Sequence, residues 1–448
     1  MPEHQSLERS AAALAEEYCQ RRQQLLEQLP ADTVVVLKGA GLVTRSHDTE
    51  YPFRQLSDFF YLTGINEPDA TLLMIKPARA GAPMRSYLFV LPRDPEQEIW
   101  NGRRLGTQQA SQISGISHVY ENAESNRRIL QALGRHAHVC WPLQVGLAEH
   151  NLRQRWLKTL AESRKLQPPR QHIDLNQYVH AQRLIKSPSE IAYLRESARI
   201  AVAAHTRAMQ AAQPGAYEYQ LAAEIEHEFA VQGASGPAYA TICGSGENAC
   251  ILHYTENRMR MQEGHLVLID AGCEYQGYAS DITRTFPVNG RFSDLQRRLY
   301  NWVLKAQQAA IAHIQPGNTL PQAYKIAAHI LTEGLIDLGV LSGSVQENIQ
   351  TTSYRPYFMH GLGHWLGLDV HDVGEYQLNG DARPLVEGMV LTIEPGLYIP
   401  KDTQCDPELR GVGVRIEDNL LVTATGHENL TAGVPVEIDA IETLMASK

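Results

Sequence analysis

Carboxylates in a repeated setting mark the C-terminal part of this 448-residue chain. Glu263-Gly264 is followed seven residues on by Asp270 and nine on by Gly272, in EGHLVLIDAG. Glu387-Gly388 is followed at the same spacings by Glu394 and Gly396, in EGMVLTIEPG. Each half then supplies a second acid: Asp281 in YASDITRTFPV, and Glu417 in GVGVRIEDNLLV. Arg415 stands two residues before Glu417 and therefore on the same strand face. Between the two later strands lies FMHGLGHWLGLDVHDVG, with His360, His364 and His371.

The first pair of acids can be placed by register. Gln276-Gly277 reads as a two-residue hairpin loop, which pairs Tyr275 with Tyr278 and sets Asp281 opposite Gly272. Asp270 shares a face with Gly272, so Asp270 and Asp281 become diagonal neighbours with backbones roughly 7–8 Å apart. Two carboxylates converging on an apolar hairpin repel each other unless a proton or a cation lies between them. Four acids with a few histidines and no thiolate suit hard or borderline divalent ions, Mn²⁺ ahead of Zn²⁺. Four carboxylates also exceed the needs of one ion, which points to a two-metal site.

Each member of this set has an ordinary reading as well. An acid beside glycine at a strand end is commonly a turn residue, and His313, His329 and His427 read as surface or core residues. Asp369, Asp372 and Asp418 read as solvated or structural. HGLGH lacks the glutamate of HExxH. GSGEN at 244–248 lacks the lysine of a phosphate loop, and no GxSxG supports a serine nucleophile. The signal resides in the combination.

The elements that must carry these groups divide the chain in two. Thr33–Leu37, Thr71–Ile75 and Ser86–Leu91 read as strands, with a helix around Asn126–Leu133 between further short elements. The stretch KLQPPRQHIDLN (165–176) breaks this pattern, so a mixed α/β domain is expected over 1–176 and a second domain over 177–448. Beyond the break, Ser187-Pro188-Ser189-Glu190 is a capping box that opens a helix toward Gln210. Ser293-Asp294-Leu295-Gln296 and Thr319-Leu320-Pro321-Gln322 repeat the start signal. Two long helices stop at Gln213-Pro214-Gly215 and at Gln315-Pro316-Gly317. Helix, helix, then a strand ending in a carboxylate, twice over, predicts a pseudo-twofold α+β domain.

Composition narrows the class of protein. The chain is 43% hydrophobic and 20% charged, a globular mixture. With 40 Lys+Arg against 50 Asp+Glu, its net charge of -10 offers no basic footprint for nucleic acid or an anionic bilayer. Six cysteines lie far apart without a CxxC pair, which suits a reducing compartment. No run reaches the ~18 apolar residues of a membrane helix, and the first twenty residues contain no apolar leader. A cytoplasmic protein without membrane or nucleic-acid partners is expected.

The motifs ILHYTEN (251–257), VLIDAGCEY (267–275), SDITRTFPVNG (280–290), MHGLGHWLGLDVHDVG (359–374), TIEPGLY (392–398) and GVRIED (413–418) together resemble the proline-specific pita-bread metallopeptidases. Within that family the likeness is to the aminopeptidase P branch. RQLSDFFYLTGINEP (54–68) and EIWNGRRLG (98–106) are similar to its N-terminal domain. The resemblance implies a small mixed α/β N-terminal domain followed by a pseudo-twofold pita-bread domain with two divalent ions, most readily Mn²⁺. Asp270 would bind one ion, Asp281 and Glu417 would bridge, and His364 with Glu394 would complete the second. His253, His360 and His371 match the substrate-binding and proton-handling histidines, and Arg415 a pocket arginine. Trp100 falls in the motif whose tryptophan is thought to reach a neighbouring subunit's site in a homotetramer; Trp100, His253 and His360 would wall the proline pocket.

The implied reaction is hydrolysis of the bond before a proline in position two of a peptide, with Glu394 moving the proton. A prolidase cutting Xaa-Pro dipeptides shares the same ligands, and an inactive peptide-binding module is the reading from another class. Roles for Asp48 and Arg104 stay open. Gly363 departs from the family pattern, where Ser is expected; it removes no ligand but would loosen its loop.

Overall fold

A computed structural model describes residues 10–447, so part of the leader region read above lies outside the described residues. The chain divides into two compact units, Met1–Arg183 and Leu184–Lys448. Among the described residues no helix is long and apolar enough to cross a membrane.

The first unit is built on a six-stranded mixed sheet. Its strands run in the order His118–Glu121, Arg85–Val90, Thr71–Lys76, Thr33–Lys38, His138–Trp141, Gln171–Asp174. The two central pairings, Thr33 with Lys76 and Thr71 with Phe89, are antiparallel, and the outer ones are parallel. Thr-Val-Val-Val-Leu at the centre is a β-branched run buried on both faces, as a covered strand requires. Val34, Val36, Leu73 and Phe89 pack against Ile129, Leu133, Trp156 and Leu160 of the covering helices.

The second unit carries the expected duplication. Helices Pro188–Ala211 and Glu218–Val231 precede the strand Leu266–Ala271, and helices Asp294–Ala312 and Leu320–Asp337 precede the strand Val390–Ile393. Ser187 and Ser293 form reciprocal capping boxes with Glu190 and Gln296, so both long first helices start by the same chemistry. Gly215 and Gly317, the last residues of the twin stop signals, adopt φ of +89° and +88°. A side chain would be strained there, which is why glycine recurs.

The strand Leu266–Ala271 lies between Ile242–Ser245 and Ile282–Pro287, both antiparallel. Tyr275 pairs with Tyr278 across Gln276-Gly277, whose φ values of +51° and +85° are those of a tight primed turn. The same register continues to Asp270 opposite Thr283. In the second half, Val390–Ile393 pairs with Asp418–Thr423, and Gly396–Ile399 with Val412–Arg415. An isolated bridge between Thr283 and Glu417 joins the halves. A large apolar core, including Phe286, Tyr300, Trp365 and Leu391, packs the unit, and a smaller cluster gathers Ile242, Tyr254, Leu268 and Tyr398.

Candidate metal centre

The hairpin delivers two acids to one place. Asp270 is the last residue but one of a fully buried strand, and Asp281 immediately precedes its partner strand. The Tyr239 hydroxyl lies 2.6 Å from Asp270 Oδ1 and also contacts Asp281 Oδ1, so one phenol spans both carboxylates. Asn419 of the second half clamps the Asp281 backbone, accepting from its N–H at 3.0 Å and donating to its carbonyl.

The second half closes the cluster. Glu394 follows the strand Val390–Ile393 directly, and its N–H bonds the Leu362 carbonyl at 2.8 Å, tying it to the histidine loop. His364 Nε2 lies 3.3 Å from Asp281 Oδ2 and 3.9 Å from Glu394 Oε1. The Thr283 hydroxyl donates to Glu417 Oε2 at 2.7 Å. Ligand atoms of Asp281, His364 and Glu417 all fall within 4.8 Å of one another.

The electrostatics record a shortage of positive charge. Burial, then the neighbouring Asp270, pushes the Asp281 carboxyl up, although His364 pulls the other way. Burial followed by Asp281, Glu394 and Asp270 drives Glu417 well above the carboxylate range. Burial lifts Glu394 to about 7 against the pull of His364 and Arg415. Burial also opposes charge on His364, yet Asp281 and Glu394 overcome it and raise the imidazole to about 9. Arg415, buried, keeps its proton and donates to Asp270 Oδ2 at 2.6 Å.

A divalent cation fits this donor set. Without an ion, the imidazolium of His364 answers part of the carboxylate charge itself. Its Nδ1 is a donor to the Trp365 carbonyl at 3.0 Å, so a divalent cation that displaced the Nε2 proton would meet an Nε2 lone pair and carboxylate oxygens together.

The remaining expected residues take varied positions. His360 Nδ1 lies 3.7 Å from Glu394 Oε2, and its Nε2 lies 2.8 Å from the Tyr398 hydroxyl. Burial, then Arg415, holds His360 down to about 4, so it is a neutral ring. The His371 ring centroid stands 4.3 Å from that of His364. Burial and the charge on His364 hold His371 below its usual value. His253 is exposed, on the loop that follows the short helix Gly246–Cys250. Trp100 belongs to the first unit, on the short helix Pro95–Asn101, and is 83% exposed. Asp48 is exposed in the turn between two short strands, and Arg104 donates to the Pro92 carbonyl at 3.1 Å.

Gly363 does not loosen its loop. A Cβ there would lie 1.9 Å from the Thr392 carbonyl oxygen, so the missing side chain lets the histidine loop close onto the strand Val390–Ile393. Asp418 and Asp372 are structural: Asp418 pairs with Arg284 at 2.7 Å, and Asp372 with Lys186 at 3.0 Å.

Three residues of the network were not anticipated. Tyr239 sits in a loop with no periodic signal. Thr283 was available from the register, since it faces Asp270 across the hairpin. Tyr398 receives a bond from Arg415 Nη1 at 2.8 Å and links that guanidinium to His360.

Comparison with known proteins agrees with this geometry. The model of metallopeptidase family M24 matches residues 192–424, and that of the aminopeptidase P N-terminal domain matches residues 18–141. The chain is 46% identical over 442 residues to the Xaa-Pro aminopeptidase of Escherichia coli (strain K12), covering 96% of this chain and 98% of that protein. Its fold superposes on proline aminopeptidase P II from Yersinia pestis with a TM-score of 0.94 and 45% identity, over 97% of this chain and 100% of the other. Zn-substituted E. coli aminopeptidase P in complex with product gives a TM-score of 0.94 at 46% identity, over 97% and 98% of the two chains. Sequence, fold and the converging acids together place the chain in metallopeptidase family M24.

Proposed function

We propose that the chain hydrolyses the peptide bond between an N-terminal residue and a penultimate proline, as a metal-dependent aminopeptidase. The observation that carries this reading is the convergence of Asp281, His364 and Glu417 on one point, beside Asp270 and Glu394. These five side chains would hold two divalent ions, Mn²⁺ by preference for so oxygen-rich a set. When bound, such ions polarise a carbonyl and activate water at neutral pH.

The chain's own groups do the rest. Glu394 is placed to accept a proton from the attacking water and to pass it to the leaving nitrogen. That nitrogen belongs to a tertiary amide without an N–H, so its pocket must accommodate a ring and needs no acceptor. His360, neutral and held by Tyr398, would serve as a wall of that pocket together with His253, which is near enough to act on its charge. His371 is available to hold a carbonyl oxygen as charge develops on it. Arg415 balances Asp270 and, through Tyr398, fixes His360. Tyr239 holds Asp270 and Asp281 in the orientation that ligation needs.

A cytoplasmic homotetramer completes the reading, with Trp100 supplied to a neighbouring subunit's pocket. Its support is the exposure of Ile99 and Trp100 side by side, 79% and 83%. The test compares an Xaa-Pro-Pro tripeptide with an Xaa-Pro dipeptide, after chelation and after Mn²⁺ is restored. Metal-dependent release of the first residue from the tripeptide is expected. Preference for the dipeptide would make the chain a prolidase, and no cleavage despite bound metal would make it a binding module.

A further inference from the structure

Glu218 is a carboxylate with no solvent exposure, at the first position of the helix Glu218–Val231. Buried acids are rare unless their charge is answered, because leaving water costs several kcal/mol per ion. Here the answer is a ring of donors. Oε1 accepts from the Ser245 N–H at 2.7 Å, the Ser245 hydroxyl at 2.8 Å and Asn248 Nδ2 at 3.1 Å. Oε2 accepts from the Tyr254 hydroxyl at 2.9 Å and the Met259 N–H at 2.8 Å. The helix N-terminus adds its own partial positive charge.

All five donors belong to one stretch of chain, residues 245–259, which carries His253. Within residues 251–258 only Tyr254 and Asn257 are buried. Asn257 is spent on the strand below, bonding the Cys243 N–H and the Thr241 carbonyl. The Tyr254 hydroxyl is thus the anchor next to His253, and it ends on Glu218. The same loop lines an open cleft of about 560 Å³ that includes His253 and Tyr254.

We infer that Glu218 is a positioning residue for substrate: its carboxylate gathers the loop that presents His253 and so sets how tightly a peptide is held. This rests on the aminopeptidase reading of His253. Loss of an acceptor on Oε1 or Oε2 would strand a buried donor, and the loop would relax toward solvent. Metal binding would be spared, since none of the five donors belongs to the ligand set.

The test uses Glu218→Gln and the milder Tyr254→Phe in the full-length, metal-loaded enzyme. Three quantities are read: metal content per chain, kcat and KM on an Xaa-Pro-Pro tripeptide, and amide hydrogen exchange. For both variants KM is expected to rise about tenfold or more, with kcat changed less and metal content unchanged. Exchange is expected to quicken across 245–259 while the helices Asp294–Ala312 and Leu320–Asp337 keep their protection. Unchanged loop exchange in a folded variant would overturn the inference, as would quickened exchange with unchanged KM. If Glu218→Gln fails to fold, Tyr254→Phe decides alone. A wild type that cleaves no such peptide would strike the aminopeptidase reading instead, and the exchange measurement would still decide whether Glu218 holds the loop.

Discussion

The two halves of the second unit are the same design carried to different ends. Each has a capped helix, a second helix and a strand that runs into a carboxylate. The likeness extends to the interior: His205 and Gln307 each sit eight residues before a Gln-Pro-Gly stop, both buried. Yet His205 donates to the Ala271 carbonyl at 2.9 Å, whereas Gln307 donates to Asp418 Oδ2 at 2.6 Å. The stretches between second helix and strand differ more. In the first half the chain from Val231 to Leu266 brings Tyr239 and His253; in the second the longer run from Asp337 to Val390 brings His360, His364 and His371. Duplication supplies acids from both halves, and the unequal loops supply different partners for them. The first half adds a phenol that contacts Asp270 and Asp281, and the second an imidazole beside Asp281 and Glu394.

That asymmetry can be broken most sharply at Glu394. Glu394→Gln is expected to lower kcat by about a thousandfold or more at saturating metal, while its repeat counterpart change, Asp270→Asn, acts mainly by weakening metal binding. Equal loss of kcat in the two variants at matched occupancy would show the halves to be equivalent, and near-normal turnover of Glu394→Gln would remove its proton-transfer role.

His205 offers the next largest effect, on stability. Burial first, then the charge of Arg284, depresses its imidazole to about 4, against the opposing pull of Asp270, Asp418 and the Ala271 carbonyl. The unfolded chain takes up this proton near pH 6.5 and the native one only near pH 4, so stability contributed above the unfolded value drains away as pH falls between them. His205→Gln copies the residue of the other half. Denaturation midpoints should show the variant losing about 3 kcal/mol less than wild type over that window. Parallel pH profiles would mean that His205 takes up its proton as readily in the fold as in the unfolded chain.

Tyr239→Phe removes the phenol that spans Asp270 and Asp281. Metal affinity measured by titration is expected to fall about 10–100-fold with the fold intact, as loss of an outer hydrogen bond to a ligand does. An unchanged affinity would make the phenol a bystander. Smallest is Gly363→Ser, which must push the Thr392 carbonyl aside. Thermal unfolding should report a loss of about 1–2 kcal/mol; a neutral result would mean that the loop has slack.

Much of this site could be read from sequence because strands are periodic. The Gln276-Gly277 turn fixes the pairing of Tyr275 with Tyr278, and alternation then carries the register to Asp270 and Thr283 without further information. The capping boxes at Ser187 and Ser293 and the twin stops at Gly215 and Gly317 gave the helix ends for the same local reason. Tyr239 could not be found this way: its loop has no period, and its contact is made 31 residues from Asp270 and 42 from Asp281. Glu218 is invisible too, since an acid opening a helix looks like ordinary charge on an N-terminal turn until the loop above it is seen to close. Tyr398 lies inside the TIEPGLY motif but shows its use only when Arg415 and His360 arrive from elsewhere. Gly363 illustrates the converse, a position whose glycine suggests slack by composition and proves to be a point of closest approach.

The bridge between Thr283 and Glu417 has a thermodynamic consequence. It is where one half's strand hands a ligand to the other's, with the Glu417 N–H on the Thr283 carbonyl at 3.0 Å and the Thr283 hydroxyl on its carboxylate. Any ion gripped there is held by both halves at once, so its binding free energy belongs to the native state and is forfeited when the halves part. A bound metal would then work as a rivet as well as a reagent. The melting temperature of the enzyme should climb with the logarithm of free metal concentration, making heat resistance a record of how well the cell supplies the ion.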